Sequence, residues 1–343
     1  MAPTTLAVLS QSGQALYFHD IFTGQRTGYI ENLIAEPHEL CHDIKRNLLY
    51  ISHTYRHGHY WAHGDNSHEI SILDVETRKV VGEISTLPAR APHGLVIDET
   101  RDLLYVSVEE LPGEEGGGII GIDLSSRRIV KTVGSKFKTH WFVMTPDGNK
   151  AYTCNKTAPF ISVLDLNNQK MTGTIPVDGC EEPCISPDGR YAYFPTPGMK
   201  WGLNPSQPAI QVIDTRTDTI VKSINVDAGM ISLHTTVLGS ILCAHYHFSP
   251  SSTPGEPKYQ AATLSMYDPH DYTKIGEVEI GLLPLTIRSS SDGKTAFVAN
   301  IMPGTVSVVD LTSMNVVRTI DVDQNPRSDK QGHQGAHGMA LIS

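Results

Sequence analysis

Four histidines and a glutamate recur at one position of a repeating pattern. Twelve residues before each of the aromatics Tyr50, Tyr105, Tyr152, Tyr193 and Phe297 stand His38, His93, His140, Glu181 and Leu285. His337, in AHGMALIS, takes the same place as His93 in PHGLVID. His234 lies in a shortened repeat and is placed only near this position. Imidazoles that converge from separate segments suit three uses. They can ligate zinc, copper or iron. They can exchange protons near neutral pH without a metal. They can also bond backbone or water as structural groups. Spacing does not separate these uses, because ligands from different repeats leave no local signature. His38 and His42 form an H-x-x-x-H pair, but the stretch reads as a strand, so it is not a helical zinc motif.

A second group of side chains lies in the long segments. TYRHGHYWAHGDNS carries Tyr55, His57, Tyr60 and Trp61, a later segment carries Trp201, and another carries Tyr246 and Phe248. Loops so rich in aromatics suggest a lid with apolar walls and polar tips rather than a solvated linker. With Trp141, His234 and His245 they form the expected substrate-contacting set.

The elements that must position these groups are short strands. Seven segments end a strand with aspartate: Asp20, Asp74, Asp123, Asp165, Asp214, Asp268 and Asp310, at intervals of 42 to 54 residues. A turn and a second apolar run follow each one, as in RIVKTV and NVVRTI. Such a period points to an all-β, seven-bladed propeller with four antiparallel strands, A to D, in each blade. The aspartates read as caps of the C–D turns. The turns TPDGNK, SPDGRY and SSDGKT carry the Asp-Gly pair of tight A–B hairpins. The chain closes on a strand-A sequence and opens on B, C and D sequences, so the closing strand is expected to complete the first blade and remove a free sheet edge. Residues 1–343 read as one domain. The expected long B–C loops are Thr54 to Ser67, Glu109 to Gly118, Pro195 to Pro208 and Tyr246 to Ala262. With the D–A connection Asp323 to Ala336 they would decorate a single face.

Composition narrows the partners. The formal charge of −10 comes without a basic stripe, which argues against nucleic acid. Apolar runs stay below membrane-spanning length. MAPTTLAVLSQSG lacks the basic start of a secretory leader, and the five scattered cysteines fit reduced, packed thiols. A cytoplasmic protein is the expectation. Cys180 and Cys184 alone are a weak metal signal, and no G-x-S-x-G elbow, phosphate loop or dinucleotide fingerprint occurs. Assembly with copies of itself is left open by the sequence.

The segments TPDGNKAYTCN, SPDGRYAYFPT and SSDGKTAFVAN resemble the YVTN family of propeller repeats along the whole chain. That resemblance implies the fold and leaves the function open, since propellers host lactonases, oxidoreductases, lyases and scaffolds. More narrowly, MAPTTLAVLSQSG, PHELCHD and SHTYRHGHYWAHGD look like fungal biosynthetic-cluster proteins, the hetero-Diels–Alderases of tropolone sesquiterpenoid pathways. The resemblance implies small, apolar natural-product substrates: a quinone methide from a tropolone or polyketide, and a humulene-type terpene. It implies no metal or redox cofactor, and no catalytic residue is carried over from it. On this reading the site would use His38, His93, His140, Glu181, Arg288 and His337 to donate to the developing oxyanion or to move a proton. A metal-dependent lactonase or hydrolase and a non-enzymatic scaffold are the alternatives.

Overall fold

Alternation of apolar and polar residues produces 28 strands in the computed structural model, and no helix interrupts them among the described residues. The structure describes residues 4–57, 64–155, 157–178, 180–196, 207–249, 258–325 and 333–342. In chain order, β1 (Thr5–Ser10), β2 (Ala15–Asp20) and β3 (Arg26–Ile30) begin the ring. The second blade is β4 (Pro37–Asp43), β5 (Leu48–Tyr55), β6 (Asn66–Asp74) and β7 (Lys79–Ser85). The third is β8 (Arg90–Asp98), β9 (Leu103–Glu110), β10 (Gly118–Asp123) and β11 (Arg128–Gly134), and the fourth β12 (Trp141–Met144), β13 (Lys150–Cys154), β14 (Phe160–Asp165) and β15 (Lys170–Pro176). Then come β16 (Cys184–Ile185), β17 (Tyr191–Thr196), β18 (Ala209–Asp214) and β19 (Thr219–Asn225). The sixth comprises β20 (Met230–Thr235), β21 (Ile241–Ser249), β22 (Lys258–Tyr267) and β23 (Lys274–Leu282). The seventh comprises β24 (Pro284–Ser289), β25 (Thr295–Asn300), β26 (Thr305–Asp310) and β27 (Asn315–Asp321). The last strand, β28 (Met339–Ile342), pairs with β1. Seven four-stranded antiparallel sheets result, and the order β28-β1-β2-β3 closes the ring as the sequence implied.

Adjacent sheets share their cores. Tyr50, Ile70 and Ile72 of one blade pack with Leu104, Val106 and Val108 of the next. Each such buried side chain contributes about 1.5–3 kcal/mol of apolar burial. The strand-end aspartates cap turns as expected: Asp20 accepts from the amides of Phe22 and Thr23, and Asp123 from that of Ser126. Gly148 of the TPDGNK turn has φ of 68°, a left-handed backbone that glycine adopts without Cβ strain.

One loop expectation is corrected. The segment from Tyr246 to Ala262 is not all loop, since β21 runs on to Ser249 and β22 starts at Lys258. Continued cross-strand pairing, with Phe248 opposite Tyr259, carries the hairpin outward.

The inner strands carry a feature that places the site. Between Pro37↔His53 and Leu40↔Ile51, two residues of β4 (His38 and Glu39) face a single residue of β5, Ser52. The same bulge sets His93 and Gly94 of β8 against Ser107. It recurs with Ile231 and Ser232 in β20 and with Leu285 and Thr286 in β24. A bulge of this kind bends the strand and re-aims its side chains. The small residue opposite then reaches the next blade. Ser52 Oγ donates to the His93 carbonyl at 2.7 Å and Ser107 Oγ to the His140 carbonyl at 2.9 Å. Cys154 Sγ repeats the contact on the Cys180 carbonyl. These bonds set the ring histidines by reference to one another.

Candidate functional site

Four of the sequence-derived histidines meet. Ring centroids lie 3.7 Å apart for His93 and His140, 4.2 Å for His38 and His93, and 4.3 Å for His38 and His337. All four are buried, with exposures between 0% and 7%. They come from four neighbouring blades, and the pleat alone would not crowd them. The bulges and the serine contacts do.

The partners of two of these rings, His140 and His38, bear on where their protons sit. Glu109, at the end of β9, is fully buried. Its Oε1 accepts from the Tyr55 hydroxyl at 2.7 Å and lies 3.0 Å from His140 Nδ1. Lys138 Nζ stands 3.9 Å from Oε2. As a carboxylate Glu109 would only accept, which puts a proton on His140 Nδ1 and leaves Nε2 of the neutral ring as the acceptor. Glu181 Oε2 lies 3.9 Å from that Nε2. His38 is set the opposite way. Gln11 Nε2 contacts both Glu36 Oε2 at 3.2 Å and His38 Nδ1 at 3.1 Å. An amide nitrogen donates, so His38 Nδ1 accepts and Nε2–H is the donor. The site therefore holds a proton acceptor and a proton donor on either side of His93, with ring centroids 6.3 Å apart.

Below the histidines lies a second charged group. Arg288 of β24 donates to Glu182 Oε1 at 3.1 Å and to the Met339 carbonyl at 3.1 Å. Burial pushes the Glu182 carboxyl up to about 7 and that of Glu39 up to about 8, while the Arg288 charge works against both shifts. His234 bonds Ser289 Oγ at 2.9 Å, and burial followed by the Arg288 charge pushes its imidazole down to about 3. His234 and Arg288 occupy corresponding places in β20 and β24, one residue beyond Leu233 and Ile287, so they lie deeper along the channel than the four clustered histidines.

The expected substrate-contacting residues divide. Trp141 packs on His93, with centroids 4.9 Å apart, and Tyr246 is buried close enough to Glu181 for the carboxylate to help burial raise its phenol. Tyr55 is not a lid residue. β5 runs one turn of the pleat further than the sequence suggested, and Tyr55 is fully buried on Glu109. His245 sits within its own blade, its Nδ1 3.3 Å from the Ala228 carbonyl. His57 lies at the rim, where its carbonyl accepts from the Gly64 amide at 2.9 Å. The lid residues Tyr60 and Trp61, and Trp201, fall outside the described residues, as does the side chain of Phe248. A cleft of about 620 Å³ beside the first long loop is lined by Arg56, Asp65, His68, Arg90 and Glu110, charged groups rather than the expected aromatic wall.

Glu109, Glu39, Glu182 and Gln11 were not anticipated. Glu109 had a readable signal: Tyr105, Ser107 and Glu109 share one face of β9 by period two. Glu39 had none, because the bulge interrupts the alternation.

Comparison with known proteins agrees on the fold. No protein-family model matches the chain. Antigen Lp49 of Leptospira interrogans serogroup Icterohaemorrhagiae serovar copenhageni (strain Fiocruz L1-130) is 30% identical over 192 residues, which is 53% of this chain and 39% of that protein. The chain thus spans well under half the length of that relative. Among solved structures, a functionally unknown protein from Desulfotomaculum acetoxidans DSM 771 aligns with a TM-score of 0.71 at 10% identity, covering 98% of each chain. Kuenenia stuttgartiensis hydrazine synthase gives 0.65 at 17% identity over 80% of this chain and 76% of its own. Dihydro-heme d1 dehydrogenase NirN gives 0.63 at 12% identity over 98% and 75%. Likeness at these identities concerns the fold alone. No helix among the described residues is long and apolar enough to cross a membrane.

Proposed function

We propose that the protein is an enzyme that works by acid–base assistance on a small apolar natural product, without a metal or redox cofactor. The observation that carries this reading is the opposed setting of the two imidazoles that flank His93, with ring centroids 6.3 Å apart, His140 accepting at Nε2 and His38 donating from it. The finer reading is a hetero-Diels–Alder reaction that joins a tropolone- or polyketide-derived quinone methide to a humulene-type terpene. It is supported by the resemblance of PHELCHD and SHTYRHGHYWAHGD and by the match between this site and the chemistry. A hydroxymethyl precursor becomes a quinone methide when its ring hydroxyl loses a proton and its side-chain hydroxyl leaves as water. His140 takes the first proton, with Glu109 sharing the charge, and the departing hydroxyl takes one from His337 on the opposite side of the site. The His38 Nε2–H then bonds the carbonyl oxygen of the quinone methide and makes it more electron-poor, hence more reactive toward the alkene. The cycloaddition forms one C–C and one C–O bond and moves no further proton. Holding both partners in one orientation supplies the rest of the rate.

The test is to incubate the purified protein with the hydroxymethyl precursor and humulene and resolve the adduct by chiral chromatography. A single stereoisomer with the native protein, and a loss of about 10²–10⁴-fold in rate for His140→Asn, is the expected result. A racemic adduct at the uncatalysed rate would remove the reading.

A metal-dependent hydrolase has one observation in its favour. One donor atom each from His38, His93 and His140, and likewise from His38, Glu39 and His337, lies within 4.8 Å of the others. Both sets need His38, whose Nδ1 is engaged by Gln11 and whose Nε2 then bears the proton. Elemental analysis separates the readings: a stoichiometric ion whose removal abolishes turnover would favour the hydrolase. A scaffold would keep its activity through simultaneous loss of His38, His93 and His337.

A further inference from the structure

Two carboxylate–imidazole pairs flank His38 and His93, and their surroundings differ. Glu109, beside His140, has the Tyr55 hydroxyl, His140 Nδ1 and the Lys138 ammonium around it. Glu39, beside His337, is 2% exposed, and neither of its oxygens has a hydrogen-bond partner among the described residues. His337 Nδ1 stands 3.4 Å from its Oε1.

The groups that face Glu39 are committed elsewhere. Arg288 donates to Glu182, Met339 and Ile287. The Ser52 hydroxyl donates to the His93 carbonyl. His38 Nδ1 accepts from Gln11, and Glu182 is itself an acid. Gly338 seals the remaining side: a Cβ there would stand 3.0 Å from Glu39 Oε2. A buried carboxylate without donors is costly, whereas a neutral carboxyl needs only one acceptor, and His337 Nδ1, 3.4 Å from Oε1, is the ring nitrogen placed to become it.

We propose that the two pairs hold opposite protonation states, with Glu109 ionised and Glu39 neutral, so that Glu39–His337 is the proton-donating half of the site and Glu109–His140 the accepting half. The proposal rests on the acid–base reading above and deepens it. It also names the substrate class: a hydroxyl compound that eliminates water when one hydroxyl is deprotonated and another protonated. In that step His140 Nε2 takes the proton of the acidic hydroxyl. His337 Nε2 gives its proton to the leaving hydroxyl while Nδ1 takes the one from Glu39. The C–O bond breaks with its electron pair on oxygen, and water departs. Glu39 is left as a carboxylate facing Arg288, and His140 as an imidazolium facing Glu109. Return of one proton from His140 to Glu39 through solvent restores the start, with no change of oxidation state. The upward push of burial on Glu39, to about 8, agrees with this assignment.

The experiment is the infrared spectrum of the full-length protein at pH 7 with no ligand. A protonated-carboxyl carbonyl band is expected. It should lose its larger part in Glu39→Gln, persist in Glu109→Gln, and keep that larger part in Glu182→Gln. If Glu39→Gln instead removes carboxylate intensity, the proposal is wrong. Should that variant not fold, carbon-13 NMR of glutamate-labelled Glu182→Gln protein decides: one buried side-chain carboxyl must stay at its neutral position at pH 7, and its absence overturns the assignment. Because neither readout uses substrate, a band that behaves as expected in a protein inert toward the hydroxymethyl precursor would keep the pairing and sink only the proposed reaction.

Discussion

Replacing Glu39 by glutamine should make the protein more stable, and increasingly so as pH rises. The folded state holds this carboxyl at about 8, against an ordinary 4.5 in the unfolded chain. Between those values the folded protein binds a proton that the unfolded chain has released. Wild-type stability therefore falls as pH increases through that window, and the loss is complete above it. At about 1.36 kcal/mol per pH unit, the penalty is about 3 kcal/mol at pH 7 and about 5 kcal/mol by pH 9. Glutamine keeps the shape of the neutral acid and does not ionise. An unfolding entropy of about 2.1 cal/mol/K per residue, over a chain of this length, gives about 0.7 kcal/mol per degree. Glu39→Gln should thus melt with wild type at pH 4.5, about 5 °C above it at pH 7 and about 7 °C above it at pH 9. Scanning calorimetry across that range is the assay. Curves that run parallel, or a variant that is destabilised at high pH, would show that Glu39 is ionised in the fold and that its burial has been misjudged.

Other perturbations follow from the same contacts. Tyr55→Phe removes a donor from fully buried Glu109 and should cost about 1–3 kcal/mol, read as a lower denaturation midpoint with an unchanged m-value. Ser107→Ala breaks the tie to the His140 carbonyl; a loss of about 1–2 kcal/mol is expected, together with shifted His140 ring resonances, and unaltered resonances would separate the serine contacts from the setting of the ring. Gly338→Ala places a methyl 2.6 Å from the His38 carbonyl oxygen and should destabilise the closing segment by about 1–3 kcal/mol, with faster amide exchange in β28 than in β14.

The sequence made the wheel legible because each blade repeats its own punctuation. Asp123 before Ser126, and Asp310 before Thr312, announce the same turn in the same place. Once the period is known, topology brings His38, His93, His140 and His337 to one sector of the ring, and the bulges and serine contacts close the cluster. What stayed hidden was the hydrogen-bonding shell. Glu39 follows His38 directly, and alternation would send consecutive residues to opposite faces, but the two-against-one bulge at Ser52 brings both into the interior. Tyr55 read as part of an aromatic loop because the strand end carries no breaker, and Asn66 opposite it gives no hint of pairing. The tautomers of His38 and His140 depend on Gln11 and Glu109, residues 27 and 31 positions away, and no local pattern encodes such partners.

His337 arrives on the segment that leads into β28, the strand that clasps β1. Ser10 secures the same seam by donating to Asp323 at 2.7 Å. Latching the wheel and installing one of its four imidazoles are therefore a single event. A molecule that has sprung this clasp would keep six intact blades, and nearly all of its circular dichroism, while being chemically silent. Activity should vanish ahead of any spectroscopic sign of unfolding, so the seam acts as a fuse between mild stress and the reaction.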